Sequence, residues 1–214
     1  MTKLKRLALT AALAATVVPA LQGCFPVVAT GVGVTALVAA DRRTSGTYLE
    51  DEGIEWKAQA RVGDRYGDKV HLNVTSFNRN VLLTGEVIDE ATKAEVERLV
   101  SGVPNVRGIS NELVVGWPSS LTARSNDAYI SSKVKARFVE YSRFPAQVVK
   151  VVTEAGTVFL MGMVTQQEAD HATEIARTTS GVQRVVRVFE YVSDSQAKQL
   201  DSTKPAEPAS TPRR

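Results

Sequence analysis

The sequence predicts an α+β protein of two tandem modules, each with two helices packed on a three-stranded mixed sheet. The first observation is an internal repeat, in which residues 81–87 (VLLTGEV) match residues 158–164 (VFLMGMV). Each stretch is followed by a charged, alanine-containing helical segment, then by Ser-Gly-Val, and then by a β-branched strand. The second observation is length, because about 190 residues follow the N-terminal apolar segment and suffice for two small domains.

Both repeats read as helix, strand, strand, helix, strand. Ile54, Ala58 and Val62 are spaced by four residues and predict one face of a helix, and the same spacing recurs at Ile130, Val134 and Phe138. β-branched runs bounded by turn residues predict the strands. In the second repeat, Ser125 or Asn126 is the expected cap of the first helix, and Glu154-Ala155-Gly156 is the expected hairpin turn. The predicted elements are 51–62, 69–75, 81–87, 90–100 and 109–115 in the first repeat, and 125–139, 147–153, 157–164, 166–179 and 184–192 in the second.

These elements divide the chain into a first domain at 49–116, a linker at 117–124 marked by Pro118, and a second domain at 125–192. Residues 193–214 are rich in proline and polar side chains and are expected to be disordered, since such a segment buries too little apolar surface to offset its ordering entropy.

The sequence also predicts how two glycines and two tryptophans pack. Gly85 and Gly162 lie in the middle of predicted strands, where glycine usually marks the close approach of another backbone. We expect that backbone to belong to a helix packed on the sheet. Trp56 and Trp117 are expected to lie in the core or between the modules, because tryptophan is highly buried on average.

The N-terminus reads as a secretory signal peptide spanning 1–23, with three basic residues before an apolar stretch at 7–20. Leu21-Gln22-Gly23-Cys24 resembles the lipobox of bacterial lipoproteins and predicts lipidation of Cys24, the only cysteine in the chain. Residues 24–48 are then the lipidated N-terminus and linker. One alternative is an ordinary cleaved signal with an incidental cysteine. The other is an uncleaved membrane helix, which the prolines and glycines of this region disfavour.

The charge balance gives no indication of nucleic-acid binding. The formal net charge is +3, and the signal peptide contributes three basic residues and no acidic ones. The remainder is therefore neutral, without the basic field typical of nucleic-acid partners.

Candidate catalytic residues are few, so the sequence predicts no enzyme, no metal site and no cofactor. His71 alternates with polar residues of a strand and is expected to face solvent, while His171 lies in a helix one turn from Glu174. A zinc site needs three or four ligands. A Ser-His-Asp triad stays possible, because triads are defined in space and not by sequence order.

The first helix of the second module carries the candidate binding site. Tyr129, Lys133 and Arg137 follow one another at four-residue steps beside the core face. An aromatic ring with a polar tip and two long basic chains suits the headgroup region of an anionic membrane. The matching helix of the first module begins with Glu50, Asp51, Glu52 and Glu55, which would repel such a surface. The alternative is that Tyr129 packs against the other module and the basic pair is merely solvated.

The signal, the lipobox and the duplicated units with a central-strand glycine resemble the dual BON-domain outer-membrane lipoproteins. The stretch from Asn126 to Lys135 and the motif Phe159-Leu160-Met161-Gly162 carry the most specific similarity. The resemblance implies a lipid-anchored outer-membrane protein facing the periplasm, which binds anionic phospholipid such as phosphatidylglycerol, is enriched at division sites and supports outer-membrane integrity. The alternative function is an envelope scaffold whose modules bind another envelope or division protein.

Overall fold

The computed structural model describes residues 41–202 of the 214. The predicted signal peptide, the lipidation site Cys24, the rest of the linker up to residue 40, and residues 203–214 lie outside the described residues. Within them the predicted α+β architecture of two modules, each with a mixed sheet, is confirmed.

Module 1 follows the predicted order, and its third strand is split in two. Strands β1 and β2 are antiparallel, whereas β2 runs parallel to β3 and β4. The helices bury one face of this sheet through Ile54, Ala58 and Val62, which are almost fully inaccessible to solvent. The elements are α1 (Ser45–Tyr66), β1 (His71–Phe77), β2 (Asn80–Val87), α2 (Glu90–Ser101), β3 (Gly108–Asn111) and β4 (Val114–Val115).

Module 2 repeats the architecture with an unbroken third strand, and its core is built around Ile130, Val134 and Phe138. Its first helix begins at Leu121, earlier than predicted, because the Ser120 hydroxyl caps the helix by accepting a hydrogen bond from the Ala123 amide at 3.2 Å. The elements are α3 (Leu121–Tyr141), β5 (Val149–Glu154), β6 (Thr157–Val164), α4 (Gln166–Arg177) and β7 (Arg184–Tyr191).

Gly85 and Gly162 occupy equivalent positions in the two central strands, and each lies against a backbone carbonyl. A Cβ at Gly85 would come within 2.0 Å of the His71 oxygen, and a Cβ at Gly162 within 2.3 Å of the Val148 oxygen. These carbonyls belong to the start of β1 and to the residue just before β5. The predicted helix neighbour is therefore wrong, because the close approach is made by the adjacent strand of the same sheet.

The two sheets pack face to face, on the sides that the helices leave open. Alternate residues of the strands point into this interface, and they form an apolar cluster shared by both modules. Hydrogen bonds cross between the modules at its rim, including one from Asn78 to Glu190 at 2.7 Å and one from Lys150 to Glu55 at 2.9 Å. The cluster contains Phe77, Leu82, Phe159 and Met161, with Val152, Met163, Val186 and Val188 packed against it.

Arg42 connects the two ends of the described chain to module 2. Its guanidinium donates to the Met163 carbonyl at 2.8 Å, to both carboxylate oxygens of Glu168, and to Asp201. Asp201 belongs to a further helix, α5 (Asp194–Ser202). The expectation of disorder from residue 193 is thus wrong for this helix, because burial of Ala197 and the ion pair with Arg42 order a segment that its composition alone would not.

We expect the Arg42–Glu168 pair to make stability depend on acidity. Burial alone would raise the pKa of Glu168, but hydrogen bonds from Arg42 and from the Thr165 amide outweigh it and hold this pKa below its ordinary value. A carboxyl with a lowered folded-state pKa contributes stability above its unfolded value of about 4.3, and this contribution is lost as the pH falls through the folded value.

Thermal unfolding of Glu168→Gln and of the wild type from pH 7 to pH 3 checks this expectation. The difference in Tm between the two proteins should be largest at neutral pH and should shrink below about pH 4. The matched control is Glu174→Gln on the same helix, whose side chain is 60% exposed and pairs with Arg177 at the surface. A constant Tm difference across the pH range would contradict the role given to Glu168.

Candidate functional site

Helix α3 presents an exposed face that combines apolar and basic side chains. Tyr129 is 62% exposed and Val139 is 66% exposed, almost three turns further along the same helix. At about 100° per residue, Ser132 and Ala136 lie between them, and both are exposed. Most of the Tyr129 side chain is thus exposed to solvent, which disfavours the alternative that it packs against the other module.

The two predicted basic residues lie along one edge of this face and reach the end of α4. The Arg137 guanidinium donates to the Ile175 carbonyl and to the Thr179 hydroxyl, both at 2.8 Å. The Lys133 ammonium donates to the Ser180 carbonyl and lies 4.7 Å from the centre of the Tyr129 ring. Because unpaired carbonyls and negative partial charge collect at a helix C-terminus, both cations stabilise the end of α4 as well as flanking the exposed face.

The repeat shows which of these contacts is structural. Arg61 of module 1 occupies the position equivalent to Arg137, and it donates to the Leu99 carbonyl near the end of α2 at 3.4 Å. The duplicated contact indicates that this arginine joins the two helices of each module. Tyr129 differs, because module 1 has Gly53 at the equivalent position.

One further basic residue borders this face, and the sequence pattern did not predict it as part of the site. Lys135 is exposed on the opposite edge from Lys133, so cations border the face on both sides. Four-residue stepping from Tyr129 cannot reach Lys135, which is two positions from Lys133 and therefore about 200° around the helix. Only the burial pattern of the whole helix identifies it.

Both tryptophans are exposed, against expectation. Trp56 is 75% exposed on α1, and Trp117 is 94% exposed just before α3. The core position was expected from the average behaviour of tryptophan, but the module cores are filled by smaller apolar residues of the helices and strands. Trp56 has acidic neighbours in Glu52 and Glu55, unlike Tyr129 on α3.

His71 does not face solvent, which corrects the sequence prediction. Its side chain is 13% exposed, and its Nδ1 lies 2.7 Å from the carboxylate of Glu86, because the sheet of module 2 covers this side of β1. His171 is half-buried on α4, and its expected neighbour Glu174 pairs with Arg177 at 2.8 Å. No helix within residues 41–202 is both long and apolar enough to cross a membrane.

This architecture, a duplicated α+β module of five elements, is that of the BON domain. Residues 50–116 and 126–193 both match the BON domain family, and the chain belongs to this family. The chain is 39% identical to the outer membrane lipoprotein DolP of Haemophilus influenzae over 80% of this chain and 90% of that protein. It is 32% identical to a 21 kDa hemolysin of Actinobacillus pleuropneumoniae, covering 71% of this chain and 79% of the relative. It is 30% identical to the osmotically inducible protein Y of Escherichia coli, covering 65% of this chain and 72% of the relative.

These relatives agree with the prediction of an outer-membrane lipoprotein, which is confirmed. They point to a non-enzymatic protein of the cell envelope. The lipid-binding role of Tyr129, Lys133 and Arg137 and the lipidation of Cys24 stay predictions.

Proposed function

We propose that this chain binds anionic phospholipid, such as phosphatidylglycerol, through the exposed face of α3, and that it supports the integrity of the outer membrane. The observation that carries the proposal is the exposed Tyr129 on a face bordered by Lys133 and Arg137 on one edge and Lys135 on the other. Acyl chains on Cys24 provide the attachment to the membrane, and α3 selects the lipids that the attached module contacts.

The expected binding free energies support these separate roles of the acyl chains and of α3. Each basic residue near an anionic surface contributes about 1 kcal/mol, and partial burial of a tyrosine adds ~1–2 kcal/mol. Acyl chains contribute about 0.8 kcal/mol per buried methylene and therefore dominate attachment. Residues 25–40, fully extended, span at most roughly 60 Å, and such a tether raises the effective concentration of α3 at the membrane.

The two helices at equivalent positions differ in what they offer a membrane. Of the two acids on α3, Asp127 is buried and accepts hydrogen bonds from the Ala155 and Gly156 amides, so its charge is directed into the module, whereas Glu140 is exposed in the last turn of the helix. On α1, the exposed Trp56 lies beside Glu52 and Glu55, whose charges oppose anionic headgroups. The proposal therefore assigns lipid recognition to module 2.

Replacing Tyr129 and Lys133 together by alanine is expected to weaken binding to anionic vesicles at least tenfold, a loss of about 1.4 kcal/mol or more. Arg137 is kept in this variant, because its hydrogen bonds anchor α4. The measurement is co-sedimentation of the fragment 41–214 with phosphatidylcholine vesicles and with vesicles containing phosphatidylglycerol, at low and high salt. Wild-type binding should require phosphatidylglycerol and should weaken at high salt, since salt screens surface charge.

Trp56→Ala is the matched control, because it removes an exposed aromatic residue from the equivalent helix of module 1. It should bind vesicles as the wild type does. Equal loss of binding in Trp56→Ala, or full binding by the Tyr129 and Lys133 variant, would contradict the proposed face.

A second candidate function is an envelope scaffold that binds a protein partner. The observation that favours it is the exposed apolar stretch around the linker, where Val114, Val115, Trp117 and Leu121 are between 47% and 94% exposed. Contiguous exposed apolar surface marks interaction sites. Absence of binding to both vesicle types would make this scaffold the better proposal.

A further inference from the structure

Three potential metal ligands from the two modules meet at the edge of the sheet interface. His71 of β1 and Glu86 of β2 face each other across paired strands, and Glu154 at the end of β5 approaches them from module 2. The Nδ1 atom of His71 lies 2.7 Å from the Glu86 carboxylate and 4.0 Å from that of Glu154. One nitrogen and two carboxylate oxygens therefore lie within 4.8 Å of one another.

The cluster has more buried negative charge than the surrounding side chains neutralise. The side chains of Glu86 and Glu154 are 7% and 8% exposed. Among residues 41–202, neither carboxylate pairs with a lysine or an arginine, and the His71 imidazole lies beside both of them. A buried group of like charges is stabilised by a cation.

Two further features beside the cluster of His71, Glu86 and Glu154 are consistent with a bound ion. The Thr84 hydroxyl, opposite Asn73 in the strand register, is fully buried and has no hydrogen-bond partner within the described part of the chain. Buried hydroxyl groups are nearly always hydrogen-bonded, so the Thr84 hydroxyl lacks the polar partner that its burial normally requires. An open cavity of about 410 Å³, lined by His71, Asn73 and Glu154, gives access from solvent.

We propose that His71, Glu86 and Glu154 bind a divalent cation of the zinc class and that this ion joins module 1 to module 2. Imidazole nitrogen and carboxylate oxygen are ligands that zinc takes at about 2.0–2.2 Å, with water in a fourth position. Tetrahedral ligands at that distance are roughly 3.3 Å apart. The two distances from His71 lie on either side of this value, so small movements of flexible glutamate side chains complete the site.

The surrounding contacts support the proposed ligands. The Asn73 amide donates a hydrogen bond to the second oxygen of Glu154 at 2.7 Å and lies 3.5 Å from the Nε2 atom of His71. Hydrogen bonds from neighbouring side chains to the ligands of a metal hold those ligands in position. Since the ligands come from both modules, binding stabilises the packed pair relative to the separated modules. The proposal does not depend on lipid binding by α3.

The test is zinc titration of the full-length chain in detergent micelles, after chelator treatment, by isothermal titration calorimetry. We expect one Zn²⁺ per chain with micromolar or tighter affinity, and much weaker binding of Mg²⁺ and Ca²⁺. At a hundredfold excess over the dissociation constant, Zn²⁺ should raise Tm by ~5–10 °C. His71→Gln and Glu154→Gln should each weaken zinc binding at least tenfold and remove the Tm shift.

His171→Gln is the matched control, because it removes the other histidine of the chain from α4 and should leave zinc binding unchanged. X-ray absorption of the wild-type zinc complex tests the ligands without any substitution, and it should show nitrogen and oxygen neighbours with the scattering of one imidazole. Absence of zinc binding, unchanged affinity in both ligand variants, or sulfur among the neighbours would overturn the proposal.

Discussion

Replacing Gly85 with alanine is expected to destabilise module 1 by about 4 kcal/mol. The new Cβ would lie 2.0 Å from the His71 carbonyl oxygen, a backbone atom that cannot rotate away. The φ angle of Gly85 is +117°, a region that side-chain-bearing residues rarely adopt, which adds strain. Relief of the clash would require β1 to move away from β2 and would disturb His71 at the module interface.

Urea unfolding of the full chain measures this effect, and the matched control is Gly63→Ala. Gly63 is exposed on α1 and has nothing within 4 Å of its Cβ position, so alanine there should stabilise the protein by about 0.5–1 kcal/mol. Gly162→Ala, with a contact of 2.3 Å to the Val148 oxygen, should resemble Gly85→Ala. A loss below about 1 kcal/mol for Gly85→Ala would show that β1 adapts easily.

Replacing Asp51 with alanine is expected to cost about 3–5 kcal/mol, because it removes one of the two carboxylates that pair with the buried Arg43 and leaves buried hydrogen-bond donors without an acceptor. Asp51 is 1% exposed and accepts hydrogen bonds from the Ser76 hydroxyl and from the Asn78 and Arg79 amides, at 2.6–2.8 Å. Arg43 pairs with it at 2.7 Å. One carboxylate thus joins α1, the turn between β1 and β2, and the segment that precedes α1.

Asp127→Ala is the internal comparison, because Asp127 occupies the equivalent position in module 2. It accepts hydrogen bonds from the Ala155 and Gly156 amides, both at 2.9 Å, and it pairs with no arginine in the structure of residues 41–202. Its loss should cost about 1–3 kcal/mol. Urea unfolding of both variants gives the two values, and an effect of Asp127→Ala equal to or larger than that of Asp51→Ala would contradict the role of Arg43.

The repeat made much of each module predictable. Four-residue spacing located the buried positions of α1 and α3, and all three predicted core residues of each helix are buried. The conserved spacing also places Asp51 and Asp127 three residues before Ile54 and Ile130, but the contacts that they make were not evident. Their partners lie in a hairpin turn more than twenty residues away, and local pattern does not specify which amides meet a given carboxylate.

The candidate lipid-binding face was only partly predictable for a related reason. Helical spacing identified Tyr129, Lys133 and Arg137, but the packing of α4 against α3 decides how freely their charges reach solvent. Arg137 and Lys133 donate to carbonyls of another element, whereas Lys135 has no such neighbour within hydrogen-bonding reach in the part of the chain that the structure describes. Exposure of a long side chain depends on tertiary neighbours, which a single helix does not contain.

The sequence by itself determined the duplicated α+β module, its mixed sheet and its helix cores, because these depend on local periodicity and on turns within each repeat. The tertiary structure alone decided that the open faces of the two sheets pack together. Alternation along a strand distinguishes its two faces but does not show whether solvent or a second sheet covers the outer one. That packing buries His71 beside Glu86 and Glu154, and it turns a polar strand face into a junction between the two modules.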